Sequence, residues 1–282
     1  MTKYKLDKSK IGTLLIIASI LPIGISAKDF IYLNKRNNDA KQSTQIEQTI
    51  NEEYYDKDNQ TNIKHTINEE KTEDNQTNIE HINKYNFEEL RKINPDIIGV
   101  IEGDCFEGGY YPVVSSKDYD DLNNKLSQNL NGDYSTSGLI IADPNNEENL
   151  NGIYRIWGHH FKGEEESGLM FSSLVNYDSI EYYQGHKQLK YYTENGEYIL
   201  EIYACTKDNP LEEERDTMNS YIDNIKNNSL INTDITPNPE DRQIVLTTCT
   251  RAGSANEPDL RISVHTKVTP VWEKQIQKGK SK

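Results

Sequence analysis

The chain has 282 residues, a formal net charge of −15 and a hydrophobic fraction of 34%. Apolar residues with glycine make up roughly 45–50% of an ordinary globular chain, so part of this sequence lies outside any core. The acidic balance, with no basic stripe, sets aside a nucleic-acid partner. The three cysteines, Cys105, Cys205 and Cys249, show neither CxxC nor Cys/His ligand spacing, so no metal site is expected.

The N-terminus reads "MTKYKLDKSK" followed by an uncharged apolar run from Ile11 to Ala27. A span of the hydrocarbon core takes about 20 helical residues, and "FIYL" beyond Lys28 and Asp29 can lengthen this run into the interface. Residues 1–33 therefore read as a Lys-rich cytoplasmic end and a signal-anchor. Cleavage after Ala27 is the alternative, but it would put Ile25 where a small residue is needed. Either way the remainder is exported; as a signal-anchor the segment predicts a single-pass membrane protein with its folded domain outside.

Residues 34–85 are polar and acidic and contain a duplication, "TINEEYYDKDNQTNIKH" and "TINEEKTEDNQTNIEH". Too little apolar surface is present to offset chain entropy, so a disordered linker is expected. Its mean reach, at roughly 5–6 Å × √n, is on the order of 40 Å.

From Phe87 a short helix, "NFEELRKI", stops at Pro95. Eight apolar runs of strand length follow: "DIIGVI", "YYPVVSS", "GLIIAD", "GIYRIWG", "KYYT", "EYILEIYAC", "RQIVLTT" and "LRISVHTKV". Such a series predicts a mostly β fold, a closed or nearly closed barrel. Helical patterns interrupt it at "SKDYDDLNNKLSQNL", with Tyr119, Leu122, Leu126 and Leu130 on one side, at "SGLMFSSLVNY", and at "RDTMNSYIDNIKNN". The domain is expected over 86–275, with a basic tail at 276–282.

Cys249 closes the strand "IVLTTC" and precedes a polar loop. A thiol attacks acyl groups as thiolate and needs a base or positive charge beside it. The candidates are His159 or His160 in "IWGHHF", His186, His265, Arg251 and Arg261. Adjacent side chains on extended backbone face opposite ways, so only one of His159 and His160 can enter a given site. His265 reads as a hydrogen-bonded core residue and His186 as a solvated turn. Cys205 reads as buried and Cys105 as partly exposed; an oxidising compartment permits a disulfide between them without requiring one. "HHFKGEEE" lacks the His spacing of a zinc helix, and "DPNNEEN" lacks the glycine and terminal glutamate of a calcium loop.

The order "NPDIIGVI … YPVV … GLIIAD … GIYRIWGHH … GLMFSSL … YILEIYA … IVLTTC … LRISVHTKV" resembles a class B sortase over about residues 86–269. The helix between the two late strands also resembles class B. The resemblance implies an eight-stranded sortase-type β-barrel with peripheral helices, preceded by a membrane anchor, and no cofactor. It implies Cys249 as nucleophile, His159 as general acid/base and Arg261 as the oxyanion or substrate-positioning residue, with His160 and His265 at non-catalytic positions. Trp157, where class B sortases commonly have tyrosine, and Thr248 are expected on the substrate groove. The implied reaction cleaves a C-terminal sorting signal of exported proteins at a Thr–Gly-type bond through a thioacyl-enzyme. The acyl group then passes to an amine, either a peptidoglycan cross-bridge or a pilin lysine. A papain-like Cys–His hydrolase and a non-enzymatic tethered adhesin are the rival readings.

Overall fold

The computed structural model describes residues 83–146, 152–210 and 217–271. The expected anchor, the linker up to residue 82 and the basic tail lie outside the described residues. No helix among the described residues is long and apolar enough to cross a membrane. Asn83 to Tyr85, placed in the linker from the sequence, already pack on the domain. Tyr85 is buried, and its ring meets those of Tyr110 and Tyr192 edge-on.

Helix α1 (Phe87–Ile93) starts where the Asn86 side chain accepts from the amides of Glu88 and Glu89, which satisfies two otherwise unpaired helix donors. Strands β1 (Ile97–Glu102) and β2 (Tyr110–Val114) pair antiparallel. Helix α2 (Tyr119–Lys125) is capped by Asp118. Then come β3 (Ile140–Ala142) and β4 (Ile153–Trp157). Residues Ser172–Asp178 form a 3-10 helix rather than an α-helix, and α3 (Ile180–Gly185) follows it. Strands β5 (Gln188–Thr193) and β6 (Gly196–Asp208) lead to α4 (Met218–Asn227), then β7 (Gln243–Cys249) and β8 (Arg261–Pro270).

The eight strands close into a barrel in the order β1-β2-β3-β4-β7-β8-β6-β5. The pairs β2/β3 and β4/β7 are parallel, so strands far apart in sequence exit at the same end. Alternation divides each strand between two faces. Tyr154, Ile156, Ile244, Leu246, Ile262 and Val264 belong to the barrel-interior cluster. Arg155, Trp157, Thr247, Cys249, Arg261 and Ser263 alternate with them and line the outer face. Two further clusters lie outside the barrel: one under α1 and α2, with Leu90, Val100, Leu122 and Ile141, and one under α4, with Tyr221, Ile222 and Ile225. A register shift between Ile202 and Ala204 on β6 lets consecutive Tyr203 and Ala204 both pack against α4, as a bulge does.

Candidate active site

Three neighbouring strands, β4, β7 and β8, carry the expected residues to one end of the barrel. Cys249 is the last residue of β7, half-buried, and its thiol is free. Arg261 is the first residue of β8 and the register partner of Cys249. On its other side Arg261 pairs with Asp208 of β6. Its Nη1 donates to the carbonyls of Pro258 and Leu260, each at 2.8 Å, which ties the guanidinium to the β7–β8 loop.

His159 arrives from β4. That strand runs parallel to β7 with Trp157 level with Thr247, and the Gly158 amide continues the ladder to the Thr247 carbonyl at 3.1 Å. His159 lies two residues past Trp157, at the end of β4 that adjoins the Cys249 end of β7. Its carbonyl accepts from the Phe171 amide at 3.1 Å, which fixes the backbone there. The ring Nε2 lies 2.9 Å from the carbonyl of Leu126, the residue that caps α2. A carbonyl only accepts, so Nε2 carries the proton and donates. The neutral ring therefore has its lone pair on Nδ1, which has no hydrogen-bond partner among the described residues. Burial holds the His159 imidazole below its ordinary range, against the opposing pull of the Leu126 carbonyl.

Gly138 makes that contact possible. Its φ is +66°, and a Cβ there would sit 2.3 Å from the Leu126 oxygen and 3.0 Å from His159 Cδ2. Only a residue without a side chain fits between the helix cap and the imidazole.

His160 faces the other way from His159, as extended backbone requires. Its Nδ1 donates to the Thr250 carbonyl at 3.0 Å and its Nε2 lies 3.1 Å from Glu165 Oε1. Both its ring nitrogens are engaged. Of the other candidates, His265 is fully buried, with Nε2 at 2.9 Å from Thr206 Oγ1 and Nδ1 at 3.2 Å from the Tyr221 hydroxyl. His186 caps α3 and stacks on Tyr182. Arg251 reaches Asp178, Asn176 and the Val175 carbonyl, so it clamps its loop onto the 3-10 helix.

The expected groove residues divide. Trp157 lies on the Cys249 face, and its Nε1 donates to Asp143 Oδ2 at 2.8 Å. Thr248 alternates away from Cys249, is 1% exposed, and spends its hydroxyl on the Gly158 carbonyl at 2.8 Å. Thr247 is the threonine that shares the face of Cys249. The sequence reading missed Arg155, an arginine inside the apolar run "GIYRIW". It is buried, and its Nη1 donates to Thr247 Oγ1 at 2.8 Å and to Ser263 Oγ at 3.4 Å, joining the three strands beneath Cys249 and Arg261. A charge in the middle of a strand was the available signal.

The remaining cysteines are not paired. Cys205 is buried as expected. Cys105 is buried too, not partly exposed: Gly168 packs against its carbonyl, where a Cβ would meet the oxygen at 2.1 Å. Burial pushes the Cys105 thiol up to about 12, an unreactive state.

No protein-family model matches the chain. Sortase B of Staphylococcus aureus is 32% identical over 202 residues, covering 68% of this chain and 78% of that protein. Sortase B of Listeria monocytogenes is 28% identical over 172 residues, covering 57% of this chain and 65% of that protein. Among solved structures, the Staphylococcus aureus sortase B–substrate complex superposes with a TM-score of 0.57 at 29% identity, over 66% of this chain and 85% of that one. The complex of sortase B with triglycine gives 0.57 at 28%, over 66% and 86%. With 32% identity to a sortase B over 68% of this chain and 78% of that protein, the chain belongs to the sortase B family of cysteine transpeptidases.

Proposed function

We propose that the chain cleaves a C-terminal sorting signal of exported proteins at a Thr–Gly-type bond and transfers the acyl group to an amine, anchoring surface proteins to the cell wall. The observation that carries this reading is the shared end of β4, β7 and β8, where Cys249 is the register partner of Arg261 and His159 follows a strand that runs parallel to β7.

The Cys249 thiol gives its proton to Nδ1 of the neutral His159 ring, the thiolate attacks the threonine carbonyl carbon, and the electron pair of the C=O bond moves to oxygen. Arg261, charged at any ordinary pH, stabilises that oxyanion. The intermediate collapses to a thioester as the C–N bond breaks, and His159 in its imidazolium form gives a proton to the leaving amine from Nδ1. The incoming amine returns a proton to Nδ1, attacks the thioester and expels the thiolate. Of the two adjacent histidines, His159 suits the proton transfers because its Nδ1 is uncommitted while both nitrogens of His160 are engaged. Trp157 on the Cys249 face suits a groove wall.

Sortase B structures with substrate and with triglycine support a peptide substrate and an amine acceptor here. The apolar run at residues 11–27 would hold the enzyme at the membrane where exported substrates emerge. An internally quenched Thr–Gly peptide with triglycine as acceptor tests the reading. Wild type is expected to yield the transpeptidation product and C249A none. A carboxylate product alone, with triglycine in excess, would instead identify a hydrolase, and a lysine peptide preferred over triglycine a pilus-type acceptor.

A further inference from the structure

Resting on that reading of Cys249, we infer that His160 is a positioning residue for the nucleophile: its Nδ1–H anchors the Thr250 carbonyl, one residue beyond Cys249, to the exit of β4. The His160 side chain is 2% exposed and Thr250 is 2% exposed. Strand β7 ends at Cys249 and the chain turns at once, with the Gly253 amide donating to the Thr250 carbonyl at 2.8 Å. The second lone pair of that carbonyl takes the Nδ1–H of His160 at 3.0 Å. The Thr250 hydroxyl donates to Glu257 Oε2 at 2.5 Å. Gly253 and Glu257 belong to the turning loop itself; Arg251 clamps that loop to the 3-10 helix and Lys207 holds Glu257 from β6, but neither contact reaches β4. His160 ties the residue next to Cys249 to the backbone that also carries His159.

Glu165 orients the ring. Its Oε1 lies 3.1 Å from His160 Nε2, its Oε2 accepts from the Gly163 amide at 2.8 Å, and its carbonyl accepts from Asn176 Nδ2 at 2.8 Å. The loop after β4 and the loop after β7 are thereby held in one register, so the Sγ of Cys249 and the ring of His159 keep a common spacing.

Asparagine can place its amide donor where Nδ1 sits, and glutamine where Nε2 sits, so two near-isosteric variants separate the contacts. With the quenched Thr–Gly peptide and triglycine, H160Q is expected to lose about tenfold in kcat with KM within about twofold, and H160N to stay within about threefold of wild type. If wild type does not turn over this peptide, the same comparison is read from the carbamidomethylation rate of Cys249 by iodoacetamide. H160Q at the wild-type rate, H160N as impaired as H160Q, or a loss confined to KM would overturn the inference. So would unfolding of both variants by far-UV circular dichroism, since a positioning residue leaves the barrel intact. C249A run in parallel separates the two claims: turnover without Cys249 sinks the enzymatic reading, whereas a dead C249A beside a normal H160Q sinks only the role of His160.

Discussion

Cys249 and Arg261 are opposite partners at the end of the β7–β8 ladder. The pairing runs without a shift from Gln243–Lys267 to this last pair. Directly opposed residues of an antiparallel pair have Cβ atoms about 4.5–5.5 Å apart. Backbone pairing sets the spacing of the two residues, and the loop carbonyls of Pro258 and Leu260 hold the guanidinium.

That spacing makes the arginine hard to replace. R261A is expected to lower kcat by about 10²–10³, the range for removing an oxyanion donor. R261K keeps the charge without the planar fork and should recover only part of that loss. Full activity of R261A on the quenched peptide would remove Arg261 from the reaction.

The lowered pKa of His159 has a consequence for stability. The folded protein resists protonating this ring, whereas the unfolded chain protonates near the reference of about 6.5. The unfolded state therefore binds more protons below that pH, and stability falls as pH drops from about 6.5 toward the lowered folded value. Melting temperatures of wild type should decline between about pH 7.5 and 5.5, and those of H159N should decline less. Parallel curves for the two proteins would contradict the assignment of that decline to His159.

Gly138 supports the same imidazole. G138A forces a non-glycine residue into the left-handed region, at a cost of about 1–3 kcal/mol, and drives its Cβ against the Leu126 oxygen. Chemical denaturation should show the loss, and turnover under conditions where the variant is folded should fall as well. A destabilised G138A with unchanged kcat would mean that the Leu126–His159 contact does not matter to the reaction.

Arg155 tests the floor of the site. Its removal leaves the buried hydroxyls of Thr247 and Ser263 short of a donor, so R155A should lose about 1–3 kcal/mol in urea denaturation. An unchanged midpoint would show that the three strands do not depend on this side chain.

The eight strands were legible because their apolar runs are short, rich in Ile, Val and Tyr, and bounded by turn residues. Helix α4 was legible because Tyr221, Ile222 and Ile225 fall on one helical face, and all three are buried. Helix α3 was not: six residues with a single buried side chain, Tyr183, carry no readable stripe. Tyr119, expected on the apolar side of α2, is 42% exposed, because capping by Asp118 puts it at the first helical position. At the site, the positions of Cys249 and Arg261 follow from strand ends. The contacts of Leu126 with His159, and of Glu165 and Thr250 with His160, join residues 5 to 90 positions apart. They depend on how the loops fold back over the strand ends, which periodicity does not encode.

The most direct test of the central claim is intact-protein mass spectrometry of the enzyme mixed with the Thr–Gly peptide in the absence of an amine. The account predicts an added mass equal to the peptide's acyl portion, located on Cys249, absent from C249A and discharged when triglycine is supplied. An adduct on any other residue, or peptide cleavage by C249A, would contradict it.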